Sequence, residues 1–221
     1  MLLQCETEDG AAEGSAVLWL HPAALESLVE LNELGLALLA EQAAVRGATS
    51  SLLLRQLGQQ WHLLNPDARR RAAACPYLLL DAGFADPLRW RLPPAAQVAA
   101  QVGDAAGAYG AFFTVPAAAE VARLVFMYAW HLARSQTAAA RVLLGMPAPT
   151  AALIARCTLR QIQAVAESHL EWLKPRWPAR VQVWQELLSA AAAGEGRALE
   201  RARLRGLTLL AAEARIAASP A

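Results

Sequence analysis

The chain has 221 residues, 56% of them hydrophobic but only 6% aromatic, and a formal net charge of +1. Much of the hydrophobic share is alanine, the best helix former, whereas strands favour β-branched and aromatic residues, so composition points to helix and away from a sheet protein. The length is enough to bury a real core, and near-neutrality argues against a partner recognised through overall charge.

In chain order, residues 1–14 read as a polar, mobile, acidic lead-in. A helix is expected from His21-Pro22, since proline suits a first helical position. Its apolar stripe of Leu25, Leu28, Val29, Leu36 and Leu39 runs until Gly47. Thr49 or Ser50 is expected to cap a second helix carrying Leu53, Leu54, Leu57, Trp61 and Leu64. Asn65-Pro66-Asp67 is a third start signal, combining a cap, a first-position proline and an acid facing the helix dipole. "CPYLLLDAGFADPLRWRLPP" is the least helical stretch, and Leu78–Leu80 within it reads as a short buried strand or helical turn. Residues 95–110 have some helical character, weakened by Gly103, Gly107 and Gly110 at about 1 kcal/mol each relative to alanine.

From Pro116 the pattern firms. A helix is expected over about 116–134, then one capped by Ser135 and ending at Gly145, and one opened by Pro149 and running to Arg156. Thr158 and Gln161 have capping-box spacing for a helix over about 159–172. Two more follow, about 178–193 and 197–217, separated by Gly194-Glu195-Gly196. The sum is an all-α bundle of about eight or nine helices. It divides into an N-terminal helical half (15–92), an irregular connection (93–114) and a C-terminal helical half (115–221).

The small net charge hides an asymmetry. Residues 1–45 carry eight acids and no Lys or Arg, leaving the rest with 20 bases against 11 acids. A solvated acidic face, internal neutralisation and two distinct binding faces are all consistent with that. Arginine accounts for 19 of the 20 bases, which hints at a GC-rich bacterial genome rather than guanidinium chemistry at every site. Cys5, Cys75 and Cys157 are scattered and odd in number, so no disulfide framework is implied and a reducing cytoplasm fits best. The N-terminus is acidic where a secretory signal would be basic. The charge-free runs at 105–119 and 142–155 are broken by Gly or Pro and fall short of the roughly 20 apolar residues of a membrane helix.

Candidate chemistry is sparse. His21, His62, His131 and His169 lack metal-ligand spacing, so no metal or cofactor is expected. Cys75 with Asp81 nearby has no local histidine to act as base, and reads as a buried structural thiol. There is no phosphate-binding glycine loop and no nucleophile elbow, so no catalytic residues are named and the chain is not expected to be an enzyme. The tryptophans sit at helical spacing with leucines and are expected in the core.

"RVLLGMPAPTAALIARCTLRQI" (141–162) has the outline of a helix-turn-helix. Gly145 supplies the turn, but Arg141 occupies a position where close packing wants a small residue, and Pro147 and Pro149 consume the start of a recognition helix. Two structurally packed helices are the expected outcome. Residues 116–190 nevertheless carry eight bases against four acids. Arg134, Arg141, Arg156 and Arg160 are therefore the candidate contacts to a partner or to DNA phosphates.

The stretch "YAWHLARSQTAAARVLLGMPAPTAALIARCTLRQIQAVAE" (128–167) resembles the FlhD family, the D subunit of the bacterial flagellar master transcriptional regulator. The match lies in a helix ending at a small-residue turn, Leu144-Gly145, Ala152-Leu153, Thr158-Leu159, Gln161 and Ala166-Glu167, and covers under a third of the chain. The resemblance implies a helical, dimerising regulator of transcription that works with a zinc-binding C subunit. The family's intersubunit cysteine would fall near Leu173 and is absent, and the N-terminal half has no counterpart. The resulting expectation is a cytoplasmic bacterial regulatory or adaptor protein. It would act through a protein partner and as a homodimer, with DNA contact secondary. The alternative is a ligand-binding or enzymatic helical domain with a site near residues 75–90.

Overall fold

The computed structural model describes residues 22–45, 51–91 and 111–218, with side chains of the last helix described as far as Ala214. These residues form ten α-helices and one two-stranded ribbon, an all-α protein as composition implied. In chain order they are α1 (Pro22–Ala44), α2 (Leu52–Gln56), α3 (Gly58–His62), α4 (Pro66–Ala73), β1 (Leu80–Ala82), α5 (Ala117–Ser135), α6 (Thr137–Leu144), α7 (Ala148–Arg156) and α8 (Leu159–Ser168). A 3₁₀ turn (Leu170–Trp172) leads to β2 (Leu173–Pro175), α9 (Val181–Ala193) and α10 (Gly196–Ala218). The expected lead-in, His21, the Thr49/Ser50 cap and the 95–110 segment lie outside the described residues.

Local start and stop signals hold where they are local. The Asn65 side chain accepts from Ala68 N–H at 2.8 Å with Pro66 in the first turn, and Thr158 and Gln161 form a complete capping box. Gly145 and Gly194 close α6 and α9 in the left-handed conformation, at φ 64° and 71°.

Three expectations are corrected. The helix read over roughly 50–64 is two, because Leu57 leaves helical geometry just before Gly58, a poor helix former. Ser135 does not cap α6; its hydroxyl donates back to the His131 carbonyl, so it still belongs to α5. The helix read over 159–172 stops at Ser168. Beyond the 3₁₀ turn the chain extends into β2, which pairs antiparallel with β1 in the register Leu80–Pro175, Asp81–Lys174, Ala82–Leu173.

One core runs through elements from both sides of residues 92–110. Helix α5 packs against α1, α6, α7 and α8, while α9 packs against α4, α2 and α10, with the ribbon between. Tyr128 on α5 donates to the Ala24 carbonyl of α1 at 2.7 Å, and Arg71 on α4 donates to the Ala191 carbonyl in the last turn of α9 at 2.8 Å. Phe84, Trp90, Phe126 and Trp172 form an aromatic cluster with centroids 5.6–6.4 Å apart. Trp61, Trp177 and Trp184 are buried as well and Trp130 is half-buried, so the described tryptophans chiefly pack the interior.

The segment 75–82 threads through this core as non-helical backbone, whose polar groups must find partners away from water. The ribbon ladder and main-chain bonds, Leu78 N–H to the Leu143 carbonyl and Arg176 N–H to the Leu79 carbonyl, supply some, and two polar side chains supply others. Asn32, fully buried, donates through Nδ2 to the carbonyls of Ala73 and Tyr77, both at 3.0 Å, while its Oδ1 accepts from Leu79 N–H at 2.8 Å. Arg176, 5% exposed, donates from Nε to the Leu78 carbonyl at 2.9 Å and from Nη2 to the carbonyls of Leu80 and Leu144 at 3.4 and 2.9 Å. Burial lowers its guanidinium from the ordinary value, countered by Asp81, Glu213 and Tyr77. An arginine starts so high that it remains a cation.

A candidate partner-binding groove and a charged cleft

Helices α6 and α7 are joined by Gly145-Met146-Pro147. Met146 and Pro147 are buried. A Cβ at Gly145 would sit 2.6 Å from Leu210 Cδ2 and 3.0 Å from an Arg176 guanidinium nitrogen, so the turn lies directly against α10. Between the turn and the last turns of α10 runs a groove of about 770 Å³. Its floor and walls are apolar, with Val142, Met146, Pro147, Leu207 and Leu210 the larger members. Arg141 is the one charged side chain lining it among the described residues.

That arrangement bears on the helix-turn-helix. The exposed residues of α7 are Ala148, Pro149, Ala152 and Arg156. Base readout needs hydrogen-bonding side chains near the start of the recognition helix. Here the start offers alanine and proline, and the sole donor of the face, Arg156, sits in the last turn.

The four candidate arginines are all exposed, and none makes an ion pair among the described residues. Arg141 stands on the rim of the groove. Arg134 lies over the Trp130 ring, 4.8 Å from its centroid, and Trp130 donates to the Cys157 carbonyl at 2.8 Å. Arg134 is thereby placed beside the α7–α8 junction flanked by Arg156 and Arg160, away from the groove lining. The structure therefore separates the four into one rim residue and a group of three at a helix junction.

The 75–90 segment is chiefly interior. Burial pushes the Cys75 thiol up to about 11, with a Tyr77 hydrogen bond and Arg203 opposing, so it is a neutral thiol at physiological pH. Asp81 faces Lys174 across the ribbon at 3.7 Å and accepts from Phe84 N–H at 3.3 Å, so it is already engaged. A second cleft, about 440 Å³, is lined by Asp81, Ala85, Lys174, Arg176, Trp177, Pro178 and Glu213. Trp177 has φ 52°, rare for a side chain of its size, and donates to a Glu213 carboxylate oxygen at 2.6 Å. Among the described residues no group of three or more potential metal ligands assembles.

Sequence reasoning missed α10 as the second wall of the groove, and it missed Arg176, Trp177 and Glu213. Nothing in "WLKPRWPAR" distinguishes a buried arginine from a solvated one. Only the flanking Pro175 and Pro178 mark the stretch as irregular. No family model, no curated protein and no solved structure matches the chain. No helix among the described residues is long and apolar enough to cross a membrane.

Proposed function

We propose that this chain is a non-enzymatic, cytoplasmic bacterial regulatory or adaptor protein that works through protein–protein contacts, DNA contact being secondary. The groove between the 145–147 turn and α10 carries this reading. It is apolar, it is continuous with exposed Val142, and one unpaired arginine rims it. A surface of that kind suits a protein partner better than a phosphate backbone. The D-subunit-like stretch supports the same reading, because the groove's turn falls inside it. The three arginines at the α7–α8 junction are the natural place for a subsidiary phosphate contact.

A photo-crosslinking side chain at Val142, compared with one at Leu63, tests this in the native cell. Both are exposed, and Leu63 lies outside the groove lining. An identified protein trapped from Val142 and not from Leu63 is expected. Salt-steep DNA binding by the isolated protein, abolished by Arg156→Ala with Arg160→Ala, would instead make DNA the primary partner.

A second reading rests on the charged cleft, where Asp81, Lys174, Arg176 and Glu213 border one space beside a backbone outlier. Such a cleft suits a small zwitterionic or polar ligand. Thermal shifts across a metabolite panel, lost on Lys174→Ala, would favour it.

A further inference from the structure

The inner face of α10 is fixed by the buried residues Leu199, Ala202, Gly206 and Leu210. On another face stand Glu200, Leu204, Leu207, Ala211 and Ala214. All are exposed except Leu207, which is half-buried, and Leu204 is 61% exposed. Their separations are four, three, four and three residues, the seam spacing with which one helix packs along another. The last three members of the seam also line the groove, so the seam and the groove are one surface.

We propose that the occupant of this surface is a second copy of the chain, with the two α10 helices lying antiparallel about a two-fold axis near Leu207. The inference rests on the protein-contact reading and names the partner. Charge decides for this occupant. In an antiparallel pair centred on Leu207, position 200 of one helix lies opposite position 214 of the other, about 21 Å along the helix from its own 214. Ala214 is the groove residue at the C-terminal end, and Arg141 rims the same groove. Glu200 of each copy is thereby brought to the groove that Arg141 of the other lines, an acid facing a base, and neither has an ion-pair partner among the described residues. Two-fold symmetry makes that pair twice. The seam member nearest to Leu204 across the axis is Ala211 of the other copy, one residue from exact register, a large side chain beside a small one.

Sedimentation equilibrium of the full chain at tens of micromolar tests the inference. The expected mass is twice 23.6 kDa. Leu204→Glu places a charge at the seam without disturbing the monomer's interior. It should weaken dimerisation on the order of a hundredfold or more, since two leucines leave the interface. Arg141→Glu and Glu200→Arg should each weaken it about tenfold, and together restore it. A strict monomer overturns the inference. So does a dimer indifferent to Leu204→Glu and to the charge swap. The Val142 crosslink then separates the two levels. Trapping of a different, identified protein removes the second copy and leaves the protein-contact reading standing, whereas trapping nothing removes both.

Discussion

Gly206→Ala is the sharpest perturbation the packing offers. In an exposed helix this change stabilises by about 1 kcal/mol, because alanine is the better helix former. At position 206 the added Cβ would lie 1.9 Å from Tyr77 Oη, 2.3 Å from Cζ and 2.8 Å from Cε1. Carbon atoms in contact prefer 3.5–4.0 Å, so the ring or the helix must move by roughly 1.5 Å. The ring has little freedom to do so. It is 1% exposed, Trp177 packs edge-on against it at 5.8 Å, and its own carbonyl is held by Asn32. Overpacking costs 1–3 kcal/mol and sometimes more; taking the upper end and subtracting the propensity gain leaves a net loss of about 2 kcal/mol. For a chain of this length that corresponds to a fall in Tm of about 4–8 °C. Thermal denaturation by circular dichroism reads it. Gly196→Ala, in the first turn of the same helix with nothing within 4 Å of the new Cβ, is the control and should not lower Tm. Tyr77→Phe removes the closest atom but not Cζ, and should rescue Gly206→Ala only in part. A Gly206→Ala protein as stable as the parent would refute the close packing of α10 on Tyr77.

Asn32→Ala should destabilise by about 2–4 kcal/mol in urea, since it strands the buried Leu79 N–H and the Ala73 and Tyr77 carbonyls together. Stability should fall as pH rises above about 9. The Cys75 thiol is raised from 9.0 to about 11 and the Tyr128 hydroxyl from 10.0 to about 12, both chiefly by burial, so the unfolded chain releases these protons first. The slope should approach 1.4 kcal/mol per pH unit for each group within its window, with no contribution below pH 9; a urea midpoint flat from pH 8 to 11 would contradict it. In a Cys5→Ser background, neither Cys75 nor Cys157 should react with a thiol reagent at pH 8 until the protein is unfolded, because both are buried and burial raises both thiols.

Features written in neighbouring residues were legible. Asn65-Pro66, Thr158 with Gln161, Gly145 and Gly194 each act within one helical turn, and each marks the boundary it was expected to mark. The all-α class followed from composition for the same reason, being a sum of local preferences. Features decided by distant contacts were not legible. Leu173–Pro175 becomes a strand because Leu80–Ala82 stands beside it, and no residue within 168–175 announces that partner. Arg176 looks like any surface arginine until its three carbonyl acceptors are in place. The groove was half legible: Arg141 and the turn stand out in the sequence, but the opposite wall comes from residues 207–214. The α7–α8 arginines stand out one by one, and what unites Arg134 with them is Trp130, whose spacing speaks only of core.

The carbonyls of Leu78 and Leu80 meet their donors on Arg176, 98 and 96 residues later in the chain. During synthesis at about 5–20 residues per second, that interval lasts about 5–20 s. Throughout it the segment emerging beside α4 has the Asn32 contacts but neither its guanidinium clamp nor β2. Its apolar side chains must wait for α5, α9 and α10 to cover them. Stalling or truncation before residue 176 therefore leaves a nascent chain with its future interior open to solvent, whereas a chain that includes Arg176, α9 and α10 holds every part needed to close it.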